Sequence, residues 1–165
     1  MLNKTSKHTN LRARITTYFN CTEEELWYNL IKPASLQFVA SPILTFDLLN
    51  YKSRPEQWQV NTPYRFRIRL FGIIPLGEHT IRLTQINSKT KTIRSRESGR
   101  LATVWNHDIT FHKTDQDRVR YTDNIEIRAG LLTPAIWLFA HLFYRHRQRR
   151  WHLLLNMDMK NNTVI

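Results

Sequence analysis

Apolar and polar residues alternate along most of this chain, and a long apolar segment follows near its end. Between residues 43 and 129 the alternation mostly has the period of two that a half-buried β-strand requires. Residues 64–70 are the clearest example, because three arginines stand between aromatic and aliphatic residues. Residues 11–19 alternate in the same way. The pattern therefore predicts one strand at the start of the chain and a run of strands in its middle.

The predicted strands of the middle region follow one another through short connections. They cover residues 43–50, 64–70, 78–86, 90–97, 101–112 and 119–129, and residues 72–77 are predicted as one of the turns. Connections of hairpin length produce antiparallel neighbours. We therefore expect an antiparallel meander of six strands, which the first strand extends to seven.

Two short helices are predicted between the first and second strands. Thr22 stands three residues before Glu25, which is the spacing of a capping box, and a helix is predicted over residues 23–31. Pro33 can open a second short helix, which ends before Pro42.

A long helix is predicted from residue 133 to residue 156, with Thr133 as its N-cap and Pro134 at its first position. Residues 135–144 are apolar on nearly every side, so other elements must cover this part of the helix. Residues 145–150 are basic and are predicted to form a polar exit. One core face of this helix does not require three further apolar residues, which are Trp137, Leu138 and Leu142. They can line a ligand entrance, pack on the short helices, form a dimer contact or touch a membrane.

The charge of the chain is strongly positive, at +12 for 165 residues. Such a charge favours an anionic partner, either an acidic membrane surface or an acidic protein, or it belongs to a protein that is simply basic. No nucleic-acid motif accompanies it, and no specific nucleic-acid partner is expected. Period-two counting places many arginines on the solvent face of the sheet: Arg65, Arg67, Arg69, Arg82, Arg94, Arg96, Arg118, Arg120 and Arg128.

Cysteine usage and terminal segments bear on compartment and domain organisation. Cys21 is the sole cysteine, which excludes an internal disulfide and a cysteine-based zinc site, and its place before a helix could lower its pKa. Residues 1–10 lack the apolar core of a signal peptide and are predicted to be a flexible leader. We expect one domain over residues 11–156, a polar tail over 157–165, and a cytoplasmic location.

Polar residues on apolar strand faces are the candidates for chemistry. Period-two counting puts His107 on an inward face of one predicted strand, and Tyr121 and Asp123 on an inward face of the next. Depending on the register, His107 lies opposite Asp123 or Ile125. A carboxylate beside a histidine can orient that histidine as a general base, but the interpretation we favour is a buried pair that sets the register of the strands. His79 also falls on an apolar face and is expected to lie apart from His107.

Other chemical signatures are missing from the sequence. The chain has only 4 glycines and no phosphate-binding glycine loop, and no pair of histidines has the helical spacing of a metal site. We expect neither a metal nor a cofactor.

Several short segments resemble the START-like, or SRPBCC, superfamily, which has the helix-grip fold and includes polyketide cyclases and dehydrases. They are residues 74–79, 105–109, 121–123, 129–134 and 143–151. The resemblance implies an α+β fold, in which a bent seven-stranded antiparallel sheet closes around a long C-terminal helix and two short helices follow the first strand. It also implies a hydrophobic cavity between the sheet and that helix. Fold alone does not name an activity, because such folds host many.

The favoured hypothesis is a protein, monomeric or homodimeric, that binds a hydrophobic or amphipathic small molecule such as a lipid or an aromatic compound. One alternative is a cyclase- or dehydratase-like enzyme that uses His107 with Asp123 or Tyr121. Another is a basic protein that docks on an acidic membrane or a partner protein. The predicted ligand-binding residues are His79, Trp105, His107, Tyr121, Asp123, Ile125, Trp137 and Phe139.

Overall fold

The computed structural model describes residues 10–162, with side chains as far as residue 158. The elements are β1 (Leu11–Phe19), α1 (Glu23–Leu30), α2 (Pro33–Ala40), β2 (Leu44–Leu48), β3 (Pro63–Leu70), β4 (Ile74–Asn87), β5 (Thr92–Gly99), β6 (Val104–Lys113), β7 (Val119–Arg128) and α3 (Thr133–Asn162). Their order is the predicted one. Residues 1–9 of the predicted leader and 163–165 of the predicted tail lie outside the described residues.

The strands in the described part of the chain form one antiparallel sheet in the order β1-β7-β6-β5-β4-β3-β2. Five hairpin pairings join neighbours in the sequence, which is the predicted meander. β1 pairs with the last strand, from Leu11 opposite Ile127 to Phe19 opposite Val119. The predicted helix-grip α+β class is thereby confirmed.

Two irregularities in pairing help the sheet to bend around α3. The register shifts between Ile68 and Arg69 and again between Leu83 and Gln85, and such bulges bend a strand and increase its twist. The inner face of the sheet and one side of α3 share the hydrophobic core. From α3 that core includes Ala140, Phe143, Tyr144, Trp151 and Leu155.

The two short helices are placed by local signals and by contacts with α3. The predicted capping box is confirmed, since Thr22 Oγ1 accepts from the Glu25 amide at 3.1 Å and the Thr22 amide donates to Glu25 Oε2 at 2.7 Å. α2 packs against α3, where Arg150 Nε donates to the carbonyl of Phe38 at 3.3 Å. This packing closes one side of the space between the inner face of the sheet and α3.

The predicted N-cap at Thr133 is wrong. A 3₁₀ turn at Gly130–Leu132 already leads into α3, so Thr133 has helical angles, φ −51° and ψ −45°. Its hydroxyl accepts from the Ala129 amide and donates to the Gly130 carbonyl, which closes the turn before the helix. At the other end, α3 continues to Asn162, beyond the predicted end at residue 156.

The predicted turn over residues 72–77 is also shorter than expected. β4 begins at Ile74, because Ile74 and Pro75 already pair with Leu70 and Arg69 of β3. The alternation of apolar and polar residues in β4 is disturbed at Gly77, where φ is 98°. This segment therefore has the sequence pattern of a turn although it forms the start of a strand.

Three apolar residues of α3 were not needed for one core face, and the structure divides them into two groups. Trp137 packs on β1, where its Nε1 donates to the Arg12 carbonyl at 2.9 Å. Leu138 and Leu142 remain 57% and 59% exposed, so most of each side chain is uncovered. Within residues 10–162 no helix combines the length and apolar character needed to cross a bilayer.

The solvent face of the sheet is basic, but acidic residues accompany several of its arginines. Arg65 pairs with Glu78 at 2.7 Å, and Arg96 pairs with Asp108 at 2.7 Å. Exposed pairs of this kind contribute little to stability, about 0–1 kcal/mol each.

We predict that Gly99→Ala destabilises the pairing of β4 with β5. A Cβ at this position would lie 2.7 Å from His79 Nδ1 and 2.8 Å from the carbonyl oxygen of Glu78, so backbone as well as a side chain must move. We expect a loss of about 1–3 kcal/mol in the free energy of unfolding, measured in urea, as for other overpacked sites. The exposed neighbour Ser98→Ala should change it by less than about 0.5 kcal/mol. Equal stability of the two variants would contradict this steric account.

Candidate functional site

A cavity of about 160 Å³ lies between the inner face of the sheet and α3, in the position that the resemblance implies. Because one water molecule needs ~10–15 Å³ on this measure, the cavity has room for roughly ten or more non-hydrogen atoms. Its wall is mainly apolar and includes Phe46, Ile81, Ile93, Ile109, Ile136, Phe139 and Phe143.

The cavity has an exposed edge at the end of the sheet from which α3 begins. Its exposed wall residues are Glu78 on β4, with Arg100 and Leu101 in the β5–β6 turn, and we call these three residues the mouth. In an antiparallel meander, the β3–β4 turn and the β7–α3 junction lie at this same end. These connections carry further exposed apolar side chains: Phe71, Ile73, Leu131 and Leu132. The surroundings of the mouth are therefore apolar, with Arg100 among them.

Asp123 is the centre of a buried hydrogen-bond network behind the cavity wall. The side chain is 1% exposed. His107 Nε2 lies 2.7 Å from its Oδ1, the Tyr121 hydroxyl donates to the same oxygen at 2.8 Å, and Gln148 Nε2 donates to Oδ2 at 2.9 Å. By backbone register His107 faces Ile125, yet its side chain reaches Asp123 along the diagonal. Three elements, β6, β7 and α3, thus meet at one carboxylate.

The network keeps Asp123 ionised and Tyr121 protonated. Burial by itself would raise the pKa of Asp123, but the hydrogen bond and charge of His107, with help from Arg147 and Gln148, hold that pKa below its ordinary value. Burial, together with the adjacent Asp123 charge, raises the pKa of the Tyr121 phenol well above its ordinary value. His107 therefore faces a fixed negative charge.

A second histidine–carboxylate pair, His79 with Glu97, lies in the same wall. His79 Nε2 is 2.9 Å from Glu97 Oε2, and the Ser95 hydroxyl donates to the other oxygen of Glu97. Ser95 is the register partner of His107. His79 pairs in register with Gly99, four residues along β5 from Ser95, so the two histidines are offset along the sheet as expected, and both line the one cavity. Burial opposes ionisation of Glu97, but the hydrogen bond from His79 outweighs it, and the pKa of Glu97 is lowered.

One face of α3 brings polar groups to the cavity from the segment predicted as a polar exit. Arg147 is 7% exposed and lines the cavity, and the buried Gln148 donates to Asp123 and to the Ile15 carbonyl. The polar-exit prediction is wrong for these two residues, since Arg147 follows Phe143 by one helical turn and shares its inward face. Arg145 and Arg149 point to solvent as predicted.

The predicted ligand-binding residues fall into three groups. Four line the cavity: His79, Trp105, His107 and Phe139. Three are fully buried behind it: Tyr121, Asp123 and Ile125. Trp137 lies on β1, outside the cavity wall.

Sequence reasoning missed several polar wall residues, although patterns pointed to them. They are Ser95, Glu97, Tyr144, Arg147 and Trp151. Glu97 shares the inward parity of Ile93 and follows the outward Arg96, and Arg147 stands midway between Phe143 and Trp151 at helical spacing.

Other candidate chemistry does not gather at the site. Burial, with the nearby Glu25 carboxylate, raises the pKa of Cys21 to about 12, which is opposite to the expected activation. In the described part of the chain no three His, Cys, Asp or Glu side chains are grouped so as to hold a metal ion.

We predict that Asp123→Asn destabilises the fold at neutral pH by about 3 kcal/mol or more, as loss of one partner of a buried pair does. The folded pKa of Asp123 is lowered, so its contribution is present above the unfolded pKa, near 3.9, and disappears as pH falls through the folded value. The difference between wild type and variant in urea unfolding should therefore shrink below about pH 4. Asp108→Asn, on the outer face of β6, serves as the control and should cost under about 1 kcal/mol. A difference independent of pH would contradict an ionised Asp123.

Comparisons with known proteins support the fold and the family. A family model described as a domain of unknown function, DUF8410, matches residues 17–154. No relative among the curated proteins matches the chain in sequence.

Two solved structures have similar folds at low sequence identity. Protein CV1439 from Chromobacterium violaceum is 12% identical, with a TM-score of 0.68, and the match covers 87% of this chain and 96% of that one. The Zhui aromatase/cyclase from Streptomyces sp. R1128 is 10% identical, with a TM-score of 0.62, and the match covers 94% of this chain and 96% of that one. The chain belongs to the DUF8410 family and has a START-like, polyketide cyclase-like helix-grip fold.

Proposed function

We propose that this protein binds a hydrophobic or amphipathic small molecule in the cavity between the sheet and α3. The observation that carries the proposal is the composition of the wall, which is apolar except for a few buried polar groups. Ligand sites in proteins have this character, because apolar contacts supply affinity and a few polar groups fix orientation.

The surroundings of the cavity agree with an apolar ligand. Exposed apolar side chains stand around the mouth, among them Leu101, Ile73 and Leu131. A ligand that enters there moves along an apolar surface before it reaches the polar groups farther along α3. Exposed apolar groups of this kind are typical of interaction sites.

Ile136→Trp should block ligand binding. Ile136 lines the cavity from the first turn of α3, and an indole there would occupy space that the ligand needs. With Nile red as a neutral apolar probe, we expect wild-type protein to give a saturable fluorescence increase and Ile136→Trp to bind about tenfold more weakly or worse, ~1.4 kcal/mol.

Leu138→Trp is the matched control, because Leu138 lies two residues further along and is exposed outside the wall. It should bind the probe as wild type does. No saturable binding by wild type, or equal binding by both tryptophan variants, would refute a ligand site in this cavity.

A cyclase- or dehydratase-like reaction is the second candidate, and the His107–Asp123 pair favours it. Because Asp123 is ionised, the proton of a singly protonated His107 ring stays on Nε2, and Nδ1 is then available as a base. In the described residues Nδ1 has no hydrogen-bond partner, and His107 lines the cavity. Removal of a proton beside a ketone carbonyl is the chemistry that such a base can supply.

His107→Asn should abolish protein-dependent proton exchange if this second candidate holds. The probe is 2-tetralone in D₂O, and NMR measures deuterium incorporation at the carbon beside the carbonyl. We expect wild type to accelerate exchange at least about hundredfold over buffer, the lower end for general-base catalysis. His112→Asn, an exposed histidine on the same strand, should keep the wild-type rate. Exchange no faster than in buffer would leave binding as the function.

A further inference from the structure

Three hydrogen-bond donors on one face of α3 have no acceptor in the described part of the chain. Arg147 makes neither an ion pair nor a hydrogen bond there, and its Nε is buried without a partner. The indole Nε1 of Trp151, one turn further along, is also buried without a partner. Tyr144, one turn earlier, accepts from Trp105 Nε1 at 3.1 Å, and its own hydroxyl proton remains unused. All three side chains line the cavity.

Neither buried carboxylate serves as the missing acceptor. Asp123 already accepts from His107, Tyr121 and Gln148, and Glu97 accepts from His79 and Ser95. No oxygen of either carboxylate lies within 4.0 Å of a guanidinium nitrogen of Arg147, the limit for an ion pair. The guanidinium carbon instead lies 4.8 Å from the Tyr144 ring centre and 5.9 Å from that of Phe143.

A buried guanidinium without a direct anion is costly, because burial removes its hydration and arginine cannot neutralise itself by losing a proton. Stacking on Tyr144 recovers part of that cost but uses none of the N–H donors. The two buried carboxylates of the site, Asp123 and Glu97, by contrast each have hydrogen-bonded partners. The missing partner of Arg147 is thus an acceptor that the described part of the chain does not provide.

We infer that the ligand carries a single carboxylate, which pairs with Arg147 while its apolar body fills the cavity towards the mouth. This inference rests on the proposed binding function and specifies the ligand class. A carboxylate matches the planar guanidinium by two parallel hydrogen bonds. A doubly charged phosphate monoester suits the site less well, because Asp123 and Glu97 already place negative charge nearby.

The position of Arg147 sets the orientation of the ligand. Arg147 follows Ile136 by 11 residues along α3, which corresponds to about 16 Å at 1.5 Å per residue. Since α3 begins at the mouth end, the carboxylate lies at the far end of the cavity and the apolar chain extends back towards Leu101.

The test compares decanoate with 1-decanol, which share a chain and differ in the head group, as competitors of Nile red at neutral pH. Wild type should bind decanoate at least about tenfold more tightly than decanol, ~1.4 kcal/mol. In Arg147→Met the preference should fall to within about twofold, with decanol affinity unchanged. Arg147→Lys keeps a charge without the planar fork and should keep only part of the preference.

Arg149→Met is the matched control, since Arg149 is exposed two residues further along the same helix. It should keep the full preference for decanoate. Thermal unfolding checks that each variant is folded, and Arg147→Lys carries the comparison with Arg149→Met if Arg147→Met does not fold.

The outcomes separate this inference from the proposed function. Suppose that wild type binds Nile red and binds decanoate and decanol with the same affinity. The cavity then binds ligands but Arg147 recognises no carboxylate, which overturns the inference and leaves the proposed function standing. Loss of the preference in Arg149→Met to the same extent as in Arg147→Met also overturns it, because a general charge effect then explains the result. If wild type binds neither Nile red nor the competitors, the proposed function itself fails.

Discussion

The buried charge of Asp123 is the constraint on which this structure depends. A carboxylate that is 1% exposed must have its oxygens satisfied within the protein, and the donors come from β6, β7 and α3. Gln148 also donates to the Ile15 carbonyl, so the same contact ties α3 to β1. Because few arrangements satisfy all these groups at once, the network holds α3 at a set position over the sheet, and the cavity is the space that remains beside it.

The polar groups around the cavity are distributed unevenly. On the sheet, histidines, a serine and a tyrosine satisfy Asp123 and Glu97, so the acids need nothing further. On α3, by contrast, Arg147 and Trp151 have buried donors without acceptors among the residues that the structure describes. A cavity with satisfied acids and unused donors is suited to an acceptor-bearing ligand, and the apolar wall is suited to the remainder of that ligand.

Much of the fold followed from local patterns. Alternation located the strands because one face of the sheet is covered and the other is solvated. The capping box from Thr22 to Glu25 and the apolar girth of residues 135–144 identified α1 and α3. The errors occurred where neighbours in space override local preference. Thr133 looks like an N-cap, but the 3₁₀ turn before it already has helical geometry. Arg147 looks solvent-exposed by residue type, but the helix turns it into the core.

The sequence by itself determined the order of the elements, the inward faces of the strands and the presence of His107, Tyr121 and Asp123 on adjoining strands, since these depend on periodicity along the chain. Only the tertiary structure decided which of these groups meet. The sequence left Asp123 and Ile125 as alternatives opposite His107. The backbone register selected Ile125, and the His107 side chain bonds Asp123 along the diagonal. The tertiary structure also joined His79 with Glu97 and, within the described residues, left Arg147 without a directly paired acid. Such pairings depend on distances between segments far apart in the chain, and no local pattern encodes those distances.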